Sequence, residues 1–147
     1  MKTDFGYECV IQILQTANVL WKESRRFFRP FGITEAQFNV IHLLGKNGGM
    51  SQRELSDLLV VDRSNVTLLL DRMSKQGLVV RQDVPGDRRA YKIMLTKKSE
   101  QLWKKILPRY LEEIENVVRN ISEKDLKNCF ETLIQIDQQA KSPAVIP

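Results

Sequence analysis

Hydrogen-bonding side chains are concentrated on one side of a helix predicted for residues 62–76. The segment is wound here at about 100° per residue. The polar side then contains Ser64, Thr67, Asp71, Arg72 and Lys75, with Asn65 at its edge. Hydroxyl and amide groups near the start of a helix suit base edges in a DNA major groove, and basic groups near its end suit phosphates. Taken alone, this side fits DNA contact and an ordinary amphipathic helix equally well.

Two further groups complete the candidate DNA contacts of this region. Leu68 is apolar but lies on the polar side, where it can rest against a thymine methyl group. The second group lies at the starts of two helices. Arg63 stands at the start of this helix, and Ser51, Gln52 and Arg53 stand at the start of the short helix before it. The apolar side of the helix, which we expect to face the core, consists of Val66, Leu69, Leu70 and Met73.

A predicted β-hairpin follows this helix and decides between the two interpretations. The segments LVVRQDV and RRAYKIML flank the turn residues Pro85-Gly86-Asp87, as in two short strands. Arg88 and Arg89 lie beside the turn, and arginine at such a tip suits a narrow minor groove. Asp87 is close enough in sequence to pair with Arg89. On an ordinary hairpin, such an exposed ion pair would contribute little to stability. A polar helix face together with a basic wing, however, favours DNA binding.

Composition narrows the class of protein. The chain has 147 residues, which suits one domain, and a formal net charge of +5. Residues 46–105 carry 13 basic and 7 acidic side chains, so the positive excess lies in the middle of the chain and suits a polyanion. One histidine and two cysteines do not supply a zinc site of usual spacing, and no phosphate loop or paired nucleophile is present. We expect no enzyme activity, no metal and no cofactor.

The chain also lacks an apolar run long enough to span a membrane and the apolar core of a signal peptide. We therefore expect no membrane partner and a cytoplasmic protein with reduced thiols.

Capping and turn signals predict the elements that position these residues. A first helix over 8–28 ends before Pro30 and Gly32, because proline cannot continue it. Capping boxes open the next two helices, Thr34 with Gln37 and Ser51 with Glu54. Asp62 or Ser64 caps the polar helix, Thr96 caps a long helix to about 120, and Ser122 with Asp125 opens a last helix to about 140. The predicted fold is mainly α with a small β-hairpin wing, a winged helix-turn-helix.

Residues 51–99 resemble the DNA-binding core of MarR-type transcriptional regulators. The matching positions are Ser64, Val66, Thr67, Leu70, Asp71, Arg72, Gly77, Leu78, Arg81, Asp87, Arg88, Arg89, Leu95 and Thr96. The Asp-x-Arg wing motif is the family's most specific signature. Many members have a basic residue where this chain has Leu68, and a glycine often stands at the position of Ser99.

The resemblance implies a single MarR-like chain, residues 1–147, that forms a homodimer. Residues 33–105 would be the DNA-binding lobe, and residues 1–32 and 106–147 the helical dimerisation region. Helix 62–76 would enter the major groove and wing 79–95 the minor groove of a pseudo-palindromic double-stranded operator. The expected function is sequence-specific regulation of transcription, as a repressor, released by a small ligand or an oxidant. The alternative is a winged-helix module that binds an acidic protein partner.

The resemblance also implies an effector, a small aromatic or phenolic acid in a cleft between the helices. The candidate ligand contacts are Trp21, Phe28, Phe38 and His42, with Phe27 and Phe31 beside them. Aromatic residues at helical spacing more often belong to a core, and we favour that interpretation.

Cys9 is the candidate redox residue, because a branch of the family senses peroxides through a cysteine in the first helix. The helix dipole near the start of the predicted helix favours a reactive thiolate. Glu8 and the absence of tyrosine from residues 34–46 argue against one. Cys129 lies among apolar residues of the last helix and is predicted to be in the core.

Overall fold

The computed structural model describes residues 2–59, 63–84 and 86–142. Contacts divide the chain into two compact units, Met1–Tyr110 and Leu111–Pro147. Along the chain lie α1 (Lys2–Phe28), a 3-10 turn (Arg29–Phe31), α2 (Glu35–Asn47), α3 (Gln52–Leu58), α4 (Arg63–Lys75), β1 (Val79–Val84), β2 (Asp87–Leu95), α5 (Lys97–Val118) and α6 (Glu123–Lys141). The predicted fold class, mainly helical with a β-hairpin wing, is confirmed.

The first unit is built around one apolar core. Its fully buried members come from α1, α2, α3, α4, the hairpin and the first half of α5, and include Phe28, Phe38, Ile41, Leu55, Leu70, Met73, Ile93 and Ile106. Val66, Leu70 and Met73 are buried as predicted, and Leu69 packs partly buried against them. Burial of this side fixes which side of α4 remains outside.

The predicted capping boxes of α2 and α3 are confirmed. The Thr34 side chain accepts a hydrogen bond from the Gln37 backbone, and the Gln37 side chain accepts one from the Thr34 backbone. Ser51 and Glu54 form the same reciprocal pair. These pairs satisfy backbone N–H groups that the first turn of a helix leaves without partners. They therefore set where α2 and α3 begin.

The hairpin is antiparallel, with Val79 opposite Leu95 and Arg81 opposite Ile93. Met50, just before α3, adds an isolated bridge to this hairpin. Its N–H donates to the Ile93 carbonyl at 3.1 Å, and its carbonyl accepts from the Ile93 N–H at 2.7 Å. The wing is therefore tied directly to the residue that precedes the helix-turn-helix.

One predicted helix start and one candidate N-cap need correction. α1 begins at Lys2 instead of residue 8, because Asp4, Phe5, Gly6 and Tyr7 continue the helix without a capping signal. α4 begins at Arg63, so Ser64 lies inside the helix and cannot be its N-cap. The other predicted cap, Asp62, lies outside the described residues.

The second unit contains the end of α5 and α6. α6 begins where predicted, with the Ser122 side chain accepting from the Asp125 backbone. The prediction that Cys129 is a core residue is wrong, because the side chain is exposed. Its neighbours Phe130, Leu133 and Ile134 are also exposed, at 65%, 41% and 41%. An apolar helix face does not specify what covers it, and within this chain the face is open.

In the described part of the chain, no helix combines the length and apolar character needed to cross a membrane.

Candidate nucleic-acid interface

The outer side of α4 is a polar and basic surface. Asn65, Thr67, Arg72 and Lys75 are exposed, and Leu68 is 54% exposed. Val66 and Leu70 on the opposite side are fully buried, so the rotation of α4 about its axis is fixed by the core. The structure thus places the described members of the predicted surface together. The side chains of Arg63 and Ser64 lie outside the described part of the structure.

The short helix α3 contributes a second group of predicted contacts. Arg53 is exposed, and Ser51 is occupied as the N-cap of α3. The Ser51 backbone N–H and hydroxyl donate hydrogen bonds to the Glu54 carboxylate at 2.7 and 2.8 Å. These donors favour the ionised carboxylate and lower the pKa of Glu54. Ser51 therefore anchors the start of α3 in this structure.

An ion pair connects the wing to α4. An Arg81 guanidinium nitrogen on β1 is 2.8 Å from a carboxylate oxygen of Asp71 on α4. The same guanidinium lies 5.2 Å from the centre of the Tyr91 ring on β2. The predicted wing-tip contacts Arg88 and Arg89, and the predicted pairing of Asp87 with Arg89, involve side chains outside the described part of the structure.

Gln52 connects α3 to both α4 and the wing. Its amide nitrogen donates to the Thr67 hydroxyl at 2.7 Å. Its amide oxygen accepts from the Tyr91 hydroxyl at 3.1 Å. Sequence reasoning proposed Gln52 and Thr67 as separate DNA contacts and missed Tyr91 as a partner. Gln52 and Tyr91 are 39 positions apart in the sequence, so no local signal indicates this contact.

The C-terminal end of α4 is held by the caps of two other helices. The Gln37 amide donates to the Gln76 side chain at 2.6 Å. The Thr96 hydroxyl, at the start of α5, donates to the Gly77 carbonyl at 2.7 Å. Lys98 donates to the Gln76 carbonyl at 3.0 Å. A change at α2 or α5 would therefore act directly on the end of the polar helix.

A cleft of about 540 Å³ lies at this end of α4. Its wall contains Gln76, Lys98 and Lys105 together with apolar side chains of Ile33, Leu78 and Leu102. Phe31, one of the aromatic residues named in the sequence analysis, lines this wall, whereas the four predicted ligand contacts Trp21, Phe28, Phe38 and His42 do not. Phe28 and Phe38 are buried core residues whose ring centres lie 4.8 Å apart, and Trp21 is 48% exposed on α1.

The fourth candidate, His42, is engaged by α5. The indole N–H of Trp103 donates to His42 Nδ1 at 3.3 Å. The Trp103 indole also lies over α2 so closely that a Cβ at Gly45 would stand 2.6 Å from two ring carbons. Gly45 lies inside α2, where glycine normally weakens a helix. In the structure, the lack of a side chain at Gly45 leaves the space that the Trp103 ring occupies.

The predicted helix-start environment of Cys9 is wrong. α1 begins at Lys2, so Cys9 lies seven residues inside the helix. The helix dipole acts mainly on the first turn, and its support for a reactive thiolate is lost. The Cys9 side chain is half-buried.

Part of the chain matches a known protein family. Residues 31–90, which include α2, α3, α4 and β1, match the model of the MarR family. It is this winged-helix region of the chain that matches the MarR family. Among curated relatives, it is 26% identical over 110 residues to the HTH-type transcriptional regulator MhqR of Bacillus subtilis, covering 75% of this chain and 76% of the relative. The winged helix described above is thus similar to that of MarR-type transcriptional regulators.

Solved structures of MarR proteins share the fold. NadR in complex with 4-hydroxyphenylacetate matches with a TM-score of 0.71 and 25% identity, over 86% of this chain and 89% of that one. A MarR-family transcriptional regulator from Listeria monocytogenes, complexed with 26mer DNA, matches with a TM-score of 0.77 over 88% of this chain and 87% of that one. Its sequence identity is 19%, so that likeness concerns the fold alone.

Proposed function

We propose that this chain is a MarR-type transcriptional regulator, a homodimeric repressor that reads a double-stranded operator with α4 in the major groove and the hairpin in the minor groove. The observation that carries the proposal is the exposed polar side of α4, fixed outward by the buried side. Asn65 and Thr67 stand near the start of the helix and Arg72 and Lys75 near its end. When a helix enters the major groove, residues near its start reach base edges and basic residues near its end reach phosphates.

Two substitutions on α4 separate base reading from phosphate contact. Arg72→Ala removes one cation, so we expect weaker binding to every duplex and a salt slope smaller by about 1. Asn65→Ala removes an amide at the base edges and should cost about 1–3 kcal/mol of discrimination between sequences. Fluorescence anisotropy with operator and scrambled duplexes across a salt series measures both quantities.

Arg26→Ala is the matched control for loss of a cation. This arginine lies on α1, and its side chain is 82% exposed. We expect its DNA affinity to equal that of the parent. If Arg72→Ala and Asn65→Ala also bind like the parent, α4 does not enter the groove. Binding to an acidic protein would then become the favoured function.

The dimer proposal is supported by apolar surface on α1. Tyr7, Leu14 and Trp21, spaced seven residues apart along one side of this helix, are 71%, 61% and 48% exposed. In the second unit, α6 exposes Phe130 in the same way. Exposed apolar side chains of this extent suit a surface that another protein chain covers, and we propose residues 1–32 and 106–147 as the dimerisation region.

Light scattering coupled to gel filtration tests the dimer. The parent should elute with twice the mass of one chain. Leu14→Glu places a charge on the exposed side of α1 and should yield monomers, whereas Gln15→Glu adds a charge at a neighbouring exposed position outside the apolar stripe and should not. A monomeric parent at micromolar concentration would contradict the proposal.

We further propose that a small aromatic or phenolic acid releases the regulator from DNA. NadR, at 25% identity, is a relative solved with 4-hydroxyphenylacetate. The cleft beside Gln76 has a volume in the range of small-molecule sites, and Lys98 and Lys105 supply positive charge for a carboxylate. An acid bound to Lys98 would compete with the Gln76 carbonyl for the same ammonium group. Release of that bond loosens the end of α4.

Titration of the protein–DNA complex with 4-hydroxyphenylacetate tests this mode of release. The parent complex should dissociate as the acid is added, and Lys105→Gln should require a higher concentration. Lys104→Gln is the control, because Lys104 is exposed but is not part of the cleft wall. Equal sensitivity of the two variants would place the acid elsewhere, for example at the predicted contacts Trp21 and His42. Dissociation by peroxide that is lost in Cys9→Ser would instead identify an oxidant as the signal.

A further inference from the structure

Gln52 makes two hydrogen bonds with opposite ends of one amide group. The amide nitrogen donates to Thr67 of α4, and the amide oxygen accepts from Tyr91 of β2. Both partners are hydroxyl groups, which can donate or accept, so the amide can bond to both in either orientation. One side chain at the start of α3 therefore fixes a distance between α4 and the wing.

Tyr91 is itself held from two further directions. Its ring packs partly buried against the core of the first unit. The Arg81 guanidinium lies 5.2 Å from the ring centre and is paired with Asp71 at 2.8 Å. Thr67 and Asp71 are four residues apart on α4, so they lie on the same side of that helix. The wing is thus joined to one side of α4 at two successive turns.

These contacts are poorly placed to stabilise the fold. The side chains of Arg81 and Asp71 are 48% and 46% exposed, and the bond between Gln52 and Thr67 is also exposed. Water competes for such groups, so surface ion pairs and hydrogen bonds add little to stability. What the contacts do determine is geometry, since recognition requires α4 and the wing to meet adjacent grooves together.

The geometry points to Tyr91 and Gln52 as positioning residues for sequence recognition. They hold the Thr67 side chain, and with it the start of α4, in register with the wing. Gln52 in this role acts through Thr67 instead of touching a base itself. The inference rests on the proposed function, in which α4 and the hairpin contact the same operator.

Tyr91→Phe is the most conservative test of this inference. The variant keeps the ring beneath Arg81 and the packing against the core, and it removes only the hydroxyl that holds Gln52. Gln52→Ala removes both hydrogen bonds of the amide. Asn39→Ala is the control, because it also removes an amide side chain, at an exposed position of α2 away from the contacts of Gln52.

The measurement is anisotropy with two duplexes, a preferred sequence selected by the parent from a random pool and a scrambled version of it. We expect Tyr91→Phe and Gln52→Ala to bind the preferred duplex about three- to tenfold more weakly. Their affinity for the scrambled duplex and their salt slope should match the parent. The double variant should lose no more than the larger single loss, because both substitutions break one chain of contacts. Thermal melting checks that each variant remains folded.

Each other outcome overturns a specific part of the account. Parent-like affinity of Tyr91→Phe for both duplexes overturns the inference, and a loss in Gln52→Ala alone then means that Gln52 contacts DNA directly. Equal losses on the two duplexes also overturn it, because positioning affects preference and not general affinity. A parent that selects no preferred sequence overturns the proposed function itself, and the inference with it.

Discussion

Gly45→Ala tests the contact between α2 and α5, the two helices that hold His42 and Trp103. Alanine in a helix interior is normally favoured over glycine by about 1 kcal/mol. At this position, however, the new Cβ would stand 2.6 Å from two carbons of the Trp103 ring. Displacement of a side chain by overpacking costs about 1–3 kcal/mol. Loss of the hydrogen bond from Trp103 to His42 would add about 1 kcal/mol, so we expect a net destabilisation of about 1–3 kcal/mol.

Urea denaturation followed by circular dichroism measures this change. Gly6→Ala is the matched control, because Gly6 also lies within a helix and a Cβ there would meet no atom within 4 Å. Gly6→Ala should leave stability unchanged or raise it by up to about 1 kcal/mol. Fluorescence in a Trp21→Phe background reports on Trp103 alone, and its spectrum should shift in Gly45→Ala. If Gly45→Ala stabilises the protein as Gly6→Ala does, Trp103 does not lie against α2.

Four further substitutions, one of them a control, test other parts of the structure. Leu55→Ala should cost about 2–5 kcal/mol of stability because Leu55 is fully buried. Leu58→Ala on the same helix is the control and should cost less than about 0.5 kcal/mol, because the Leu58 side chain is 58% exposed. Urea titration measures the stability of both variants. Glu54→Gln tests the lowered pKa of Glu54, whose ionised form stabilises the fold above the ordinary value of 4.5 and loses that contribution as pH falls through the lowered pKa. This variant should therefore be less stable than the parent at pH 7 and equal to it in strong acid, and an unchanged difference across that range would contradict the assignment. Leu68→Ala should leave thermal stability unchanged and weaken selection for thymine at one operator position, as measured by sequencing of selected duplexes.

Local signals predicted the start of most helices in the chain. Thr34 with Gln37 and Ser51 with Glu54 set α2 and α3, because a capping box needs only residues three positions apart. The core side of α4 followed from periodicity, since Val66, Leu70 and Met73 share one side of any regular helix. The start of α1 was missed because no capping residue marks it, and that error carried over to the environment of Cys9.

Contacts between distant parts of the sequence were not predictable. Trp103 and His42 are 61 residues apart, and Gln52 and Tyr91 are 39 apart. Such pairs depend on how whole elements pack, which periodicity does not report. Cys129 shows a second limit, because an apolar helix face has the same pattern whether its own chain or a second copy covers it. The exposure of Asn65, Thr67, Leu68, Arg72 and Lys75 followed from helical periodicity, but the contacts that orient α4 did not.

Selection of duplexes from a random pool, followed by sequencing, tests the central claim most directly. The account predicts enriched sequences that contain two inverted half-sites with centres about 10 base pairs apart, because a two-fold symmetric dimer presents its two α4 helices to successive major grooves. Affinity for these sequences should fall steeply with salt. Enrichment of a single unrepeated site would contradict the dimer, and no enrichment by a folded protein at low salt would contradict operator recognition by α4.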